Sequence, residues 1–410
     1  MKDKLTSLEI KWIIYDIGNS AFILLCSTII PIYFNSISSA AGVAESDYLT
    51  YWSYATSIAT IIVAFAGPIL GTLADYKDKK KKYFVSSAIL GALGLAAFWI
   101  PGNWKIFLLL YVCAKVFFSL SLVFYDSMLN DVTTDERMDH VSSVGYALGY
   151  IGSCVPFIIS LVLVLMGDKI GLSTSTAMMI AFLLNAIWWI AFTIPLAGSY
   201  KQKSYIEKQD RVVSQSLGRL WHSLKNAKKD KKIFLFLLAF FFYIDGVYTI
   251  IDMSTAYGTS LGLDTTGLLL ALLMTQVVAF PASLTFAKLS KKFSSDKLIK
   301  IAIIAYFCIA VFAIQLDQQW EFWLLAFAVG CFQGGIQALS RSYFAKIIPD
   351  ESSGEYFGLF DVCGKGASFL GTFLIGFITQ LTGHQNYGVA AISVMFIIGY
   401  FLFNKVSKMD

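Results

Sequence analysis

Seven charged residues stand inside long apolar runs of this 410-residue chain: Asp16, Lys115, Asp126, Asp245, Asp252, Asp361 and Lys365. A bare charge in hydrocarbon costs several kcal/mol, so each needs a partner, water or a task. Their chemistry offers three tasks. A carboxylate in low-dielectric surroundings can hold and release a proton. A lysine and an aspartate at one depth can bind the two ends of a zwitterion, and opposite charges can pair. Asn19, three residues after Asp16 in "YDIGNSAF", adds an amide to the first group. Only three histidines exist (His140, His222 and His384), none deep in a run, so proton movement would fall to a carboxylate, with Asp245 first and Asp16 second.

Counting about 1.5 Å of rise per residue places Lys115, Asp245 and Lys365 near one level, the middle of their runs. They are expected to meet there as a solute site. Asp252, seven residues beyond Asp245, shares its helical stripe nearer the far side. Asp361 and Lys365, four apart, can also neutralise each other. Asp16 is expected to face a water-accessible cavity, or to bond a neighbouring helix.

These charges must be positioned by membrane-spanning helices. The chain is 57% hydrophobic and 14% charged, with a mean hydropathy of +0.66. A soluble protein is roughly a quarter charged. Apolar runs of about 20 residues or more, enough to cross a bilayer, cover 11–36, 48–75, 83–101, 104–131, 139–167 and 175–197. After a polar stretch they resume at 232–259, 266–289, 298–317, 320–348, 355–382 and 387–405. The reading is an all-α membrane protein of twelve spans. It comprises a first half (1–197), a linker (198–231) and a second half (232–410).

Basic residues test the count. Twenty-eight of the 32 Lys and Arg fall on one side of an alternating twelve-span path, with the linker and both termini. The positive-inside rule makes that side cytoplasmic. The net charge of +5 is therefore topological and points to no nucleic acid. In the linker, Leu217, Leu220, Trp221 and Leu224 share one face amid basic residues, the pattern of a helix lying on the inner leaflet. The six cysteines sit in apolar runs without CxxC spacing and read as small core residues, not disulfides or metal ligands. The first run lacks a small-residue exit, so no cleavable signal is expected. No GxxxxGK[ST], HExxH or GxSxG occurs. The reading is no enzyme, no metal, no cofactor and no ATP drive, in a monomer whose partners are lipid, a small solute and protons.

The halves echo each other. "YDIGNS" and "YIDGVYT" open spans 1 and 7, "PILGTLAD" and "PASLTFAK" close spans 2 and 8, and "NDVTTDE" and "KIIPDE" follow spans 4 and 10. Between spans 2 and 3, "GPILGTLADYKDKKKK" places Gly67 and Gly71 one turn apart, ahead of Asp75 and a basic loop. The two glycines admit a neighbouring helix closely. Asp75 can then meet the positive N-terminus of span 11, where Ser352 and Glu355 have capping-box spacing. Asp126 and Arg341, near the cytoplasmic ends of spans 4 and 10, are expected to bracket the pathway mouth, and a direct ion pair would be state-dependent.

The 67–82 motif resembles the signature of the major facilitator superfamily. The wider set of "YDIGNSAF", "FYDSMLNDV", "GYALGYIGS", "FYIDGVYTI", "GGIQALSRSYFAKIIP" and "EYFGLFDVCGKGASFLG" resembles the vacuole-effluxer family and its bacterial relatives, over nearly the whole chain. One departure is Gly18, where alanine is expected. The resemblance implies two six-helix halves and alternating access, with spans 3, 6, 9 and 12, which hold none of the seven in-span charges, facing lipid. It also implies a secondary transporter of a small polar solute, and amino-acid export is associated with the yeast members. Proton-linked drug or sugar movement is the alternative within the class, and a non-transporting receptor or scaffold lies outside it. The retained in-span charges count against the scaffold.

Overall fold

The computed structural model describes residues 4–43, 45–99, 103–207, 231–382 and 385–409. The chain folds into helices α1 (Ser7–Ser27), α2 (Ile29–Ala40), α3 (Glu45–Ala74), α4 (Lys80–Ala96), α5 (Trp104–Ser127), α6 (Leu129–Val132), α7 (Asp135–Met166) and α8 (Thr174–Ser199). There follow α9 (Lys231–Ser260), α10 (Thr265–Leu289), α11 (Ser295–Ala313), α12 (Gln319–Ile347), α13 (Ser353–Thr382) and α14 (Gln385–Val406). Among the described residues the β contact is one isolated bridge, Tyr76 with Ile206.

Every expected span falls on helix, and among the described residues ten helical segments are long and apolar enough to cross a membrane by that measure alone. Helix α11 falls short of it because Asp296, Lys297 and Lys300 occupy its first turns, and only Leu370–Thr382 of α13 enters the count. Span 1 is not one helix. Thr28 leaves helical geometry (φ −133°, ψ −81°) between α1 and α2, just ahead of Pro31, whose ring would clash with the carbonyl four residues back. The amphipathic stretch 217–224 lies outside the described residues.

Large apolar side chains cover the outer surface: Phe65, Leu165 and Leu381 are 72%, 70% and 69% exposed. A patch-rich surface of this kind is stable against lipid, not water. Cys113 and Cys308 also point outward, a correction to the expectation that all six cysteines fill the core; the rest are buried or half-buried, and all six are free thiols.

The sequence echoes have structural counterparts. Tyr15 on α1 donates to Ser121 Oγ on α5 at 2.9 Å, and Tyr243 on α9 bonds Ser340 Oγ on α12 at 2.6 Å. Helix α1 packs along α7 as α9 packs along α13. Helices from before and after the linker pack as α3 on α13 and α7 on α10.

At its start α1 is fixed by a capping box: Thr6 N donates to Glu9 Oε2 and Glu9 N to Thr6 Oγ1. The same carboxylate takes Arg137 in a fork at 2.7 and 2.8 Å, and Thr133 at 2.7 Å. A bidentate guanidinium–carboxylate pair fixes angle as well as distance. It sets the rotation of α1, and with it the stripe Trp12, Tyr15, Asp16 and Asn19.

Candidate functional site

That stripe builds the first part of the site. Trp12 stacks on Tyr125 of α5 (centroids 4.4 Å apart), and each side chain donates to the other residue's backbone carbonyl. Over this platform lies Arg341 of α12, its guanidinium carbon 4.7 Å from the Trp12 ring and 4.4 Å from the Tyr146 ring. Arg341 Nη1 donates to Asp126 Oδ1 at 3.0 Å and Nη2 to Asp16 Oδ2 at 3.5 Å, while Nε reaches Ser142 Oγ at 3.0 Å. Asn19 Nδ2 donates to Asp16 Oδ1 at 3.2 Å. The guanidinium is buried, 3% exposed, so its charge is met by two carboxylates and two aromatic faces. Asp16 does not face an open cavity. It is 6% exposed and packs on Gly145 of α7, which has no side chain to hold it off.

The second part is the motif at residues 67–82. Asp75, fully buried, accepts Gly354 N–H at 2.8 Å and Glu355 N–H at 2.9 Å, the first turn of α13. Helix N-termini present unsatisfied N–H groups and a partial positive charge, and here an aspartate from across the chain satisfies them. The Glu355 N–H expected to go to Ser352 therefore goes to Asp75, and α13 begins at Ser353. The approach is possible because α3 and α13 meet glycine to glycine: a methyl on Gly71 would strike the Gly354 carbonyl, and one on Gly358 would lie 2.6 Å from Pro68 Cα. The backbone of Gly67 lies against Gly358, but the contact does not need a glycine at 67, since a methyl there would meet Gly358 O at 3.8 Å, ordinary packing distance. The Gly354–Gly358 spacing was available in "SGEYFG" as the matching half of the interface.

Lys80 was unremarked in the sequence among four consecutive lysines. It is fully buried, 3.7 Å from Asp75 and 3.9 Å from Asp131, and donates to Ser353 Oγ at 2.7 Å. Asp131 in turn accepts the Tyr200 hydroxyl and the N–H groups of Lys203 and Ser204. Gln202 donates to the carbonyls of Ala74 and Asp75, and Ile206 N bonds Asp75 O at 2.9 Å. The start of the linker is thus laced to the motif. Nothing in the charge pattern distinguishes the buried lysine from its exposed neighbours. A third cross-chain cluster joins Asp139 to Lys346 and to the hydroxyls of Ser295 and Ser342, each at 2.6 Å.

All these contacts lie at the end of the bundle that holds the two chain termini. Further along, Lys115 Nζ lies 3.3 Å from the Tyr111 hydroxyl, and Asp252 on α9 has an exposed side chain. Asp245 does not join them. Its Oδ1 accepts Gly371 N–H at 3.1 Å and Thr249 Oγ1 at 3.3 Å, and its buried Oδ2 has no hydrogen-bond partner among the described residues. The expected meeting of Lys115 and Asp245 is therefore corrected: Asp245 turns toward α13. The side chain of Lys365 lies outside the described residues, and Asp361 is half-buried. Among the described residues no group of His, Cys, Asp and Glu has the geometry of a metal site.

Comparison with known proteins places this geometry. The family profile "Vacuole effluxer Atg22 like" matches residues 7–138 and 130–409. The uncharacterized MFS-type transporter YxiO of Bacillus subtilis is 41% identical over 404 residues, 97% of this chain and 94% of that protein. Autophagy-related protein 22 of Saccharomyces cerevisiae is 25% identical over 482 residues, 94% of this chain and 90% of its own. Among solved structures, the proton:xylose symporter XylE superposes with a TM-score of 0.74 at 13% identity, over 97% of this chain and 95% of that one. The transporter FucP in its outward conformation gives 0.72 at 14%, over 98% and 97%. Likeness at that identity shows the fold, that of the major facilitator superfamily. The profile match and the bacterial relative carry the closer statement: this chain belongs to the Atg22-like vacuole effluxer family.

Proposed function

We propose that the protein is a secondary active transporter that moves a small zwitterionic solute, an amino acid, across the membrane by alternating access between two six-helix halves (1–197 and 232–410). In this reading twelve spans cross the bilayer, counting α1 with α2 and α5 with α6 as one each. The linker and both termini are cytoplasmic, in a bacterial cytoplasmic membrane, and the working unit is a monomer.

The observation that carries the proposal is the one-sided distribution of contacts between the halves. Asp75 on the N-terminus of α13, Arg341 between Asp16 and Asp126, and Lys346 on Asp139 all lie at the terminus-bearing end. In this reading they form a closed inner gate, with Lys115 and exposed Asp252 beyond it. A cargo carboxylate would meet Lys115 and its ammonium Asp252, the complementarity expected of a site that reads both ends of one molecule. Asp245, whose buried Oδ2 has no partner among the described residues, is the group to carry a coupled proton. The family's name, vacuole effluxer, agrees with efflux of a solute.

Purified protein in liposomes, given labelled amino acids and an imposed pH gradient, tests the reading. Accumulation above protein-free liposomes is expected, and loss of that signal in Lys115→Met and Asp252→Asn. Absence of accumulation for every one of the common amino acids, in either gradient direction, would overturn it.

A further inference from the structure

Helices α11 and α14 pack along each other and leave an apolar groove of 130 Å³ between them, with Ile304 and Phe307 of α11 and Ile397, Tyr400 and Phe401 of α14 in its walls. Ile304, Ile397 and Phe401 are exposed, so the groove lies on the outer surface. Its volume is below the ~300–1,000 Å³ of small-molecule pockets and suits a length of hydrocarbon chain. The two helices are spans 9 and 12, two of the four expected to face lipid.

At one end the groove runs into charge. On α11, Lys300 stands four residues before Ile304 and Lys297 seven before it; on α14, Lys405 stands four residues after Phe401 and Lys408 seven after it. Steps of four and seven keep side chains on one helical face, so each helix carries the line of the groove into a pair of lysines. The pairs come together at the terminus-bearing end of the bundle, where Lys300 Nζ donates to Ser407 Oγ of α14 at 3.0 Å and pairs with Asp296 at 3.2 Å. That ammonium ties the two helices together and engages the carboxylate of this stripe. Lys297, Lys405 and Lys408 are exposed and form no ion pair among the described residues. The positive-inside rule accounts for lysines on this side of the membrane. It does not account for their standing in line with one groove on two neighbouring helices, since lysines anywhere in the loops would serve it equally.

We propose that the α11–α14 groove binds one anionic phospholipid, with an acyl chain along Ile304, Phe307, Ile397 and Phe401 and the phosphodiester among Lys297, Lys405 and Lys408. Apolar burial in the groove supplies what any phospholipid would gain, and the lysines supply the preference for negative charge. The leaflet is the inner one in the topology proposed above, and the site does not depend on which solute is moved.

The test presents the purified full chain, in neutral detergent, with phosphatidylglycerol or phosphatidylcholine of matched acyl chains and counts retained lipid by native mass spectrometry. One phosphatidylglycerol per chain should be retained at least about tenfold more tightly than phosphatidylcholine, a preference that shrinks as salt rises. Lys405→Gln with Lys408→Gln should weaken phosphatidylglycerol about five-fold for each lysine removed and leave phosphatidylcholine unchanged. Lys201→Gln with Lys203→Gln, an equal loss of charge at exposed linker positions, should change neither. Ile304→Trp should fill the groove and release both lipids; Ile304 is 47% exposed, so the core is untouched. Four results would each overturn the proposal: no preference for phosphatidylglycerol, an equal fall in the linker variant, unchanged retention in Ile304→Trp, or displacement of the lipid by glycerol phosphate, which would mark a free-phosphate site without the groove. Transport is not read in this experiment, so its failure and that of the proposed function are separate.

Discussion

Arg341 holds two carboxylates of the first half at once, Asp126 Oδ1 at 3.0 Å and Asp16 Oδ2 at 3.5 Å, and does so between the faces of Trp12 and Tyr146. One guanidinium thereby ties α12 to both α1 and α5. The planar fork does this where an ammonium would reach a single partner.

Removing that fork should open the inner gate. Breaking a buried pair by taking away one partner costs about 3–5 kcal/mol, because the remaining charges stay buried. Arg341→Ala is therefore expected to favour the state in which Asp16 and Asp126 can reach water. A cysteine at buried Ala338, in a chain without its native cysteines, should react with a polar maleimide at least tenfold faster in Arg341→Ala than with Arg341 in place. Equal rates would show that the pair does not hold the gate.

The two motif glycines should separate sharply. Gly71→Ala puts a methyl into the Gly354 carbonyl, backbone against backbone, which neither helix can relieve without moving apart. Gly67→Ala meets Gly358 O at 3.8 Å and Val123 Cγ2 at 3.9 Å, ordinary contacts. The expectation is severe loss of transport, with normal expression, for Gly71→Ala and near-normal transport for Gly67→Ala. Equal effects of the two would refute the glycine-to-glycine account of the α3–α13 crossing.

The linker prediction rests on Asp131, which gathers Lys80, the Tyr200 hydroxyl and two linker N–H groups. Hydrogen bonds to a charged group contribute about 1.5–3 kcal/mol each. Asp131→Ala should release residues 200–207 and raise trypsin cleavage after Lys201 and Lys203 by tenfold or more. Unchanged cleavage would mean that the linker is held by other contacts.

How far the sequence reaches is clearest on α9. Residue counting along the helix gave the depths of Asp245 and Asp252, since rise per residue is fixed. It could not give what each one faces. Seven residues return a side chain to nearly the same stripe, yet Asp245 is met by the Gly371 N–H of α13 and Asp252 stands exposed. That difference comes from where a neighbouring helix approaches closely, a property of glycines elsewhere in the chain. Asp75 was legible because its glycine, its acid and the receiving helix start all leave local marks. Buried Lys80 left none, since four consecutive lysines look alike until one of them is covered. The break at Thr28 was signalled only by Pro31, which many membrane helices tolerate.

The acids on α9 should therefore differ in function. Asp252→Asn removes the charge proposed to meet the cargo ammonium and should weaken solute binding tenfold or more, with exchange and gradient-driven uptake falling together. Lys115→Met should do the same from the other side. Asp245→Asn is nearly isosteric, and the amide oxygen can still accept from Gly371 N and Thr249. It should leave solute affinity and solute–solute exchange close to wild type while abolishing accumulation against a gradient, because no proton can then be bound and released there. Binding measured by calorimetry, with exchange and pH-driven uptake assayed on the same liposomes, separates the outcomes. If Asp245→Asn instead loses affinity along with both transport modes, the solute contacts Asp245 directly, and the site lies deeper than Lys115 and Asp252.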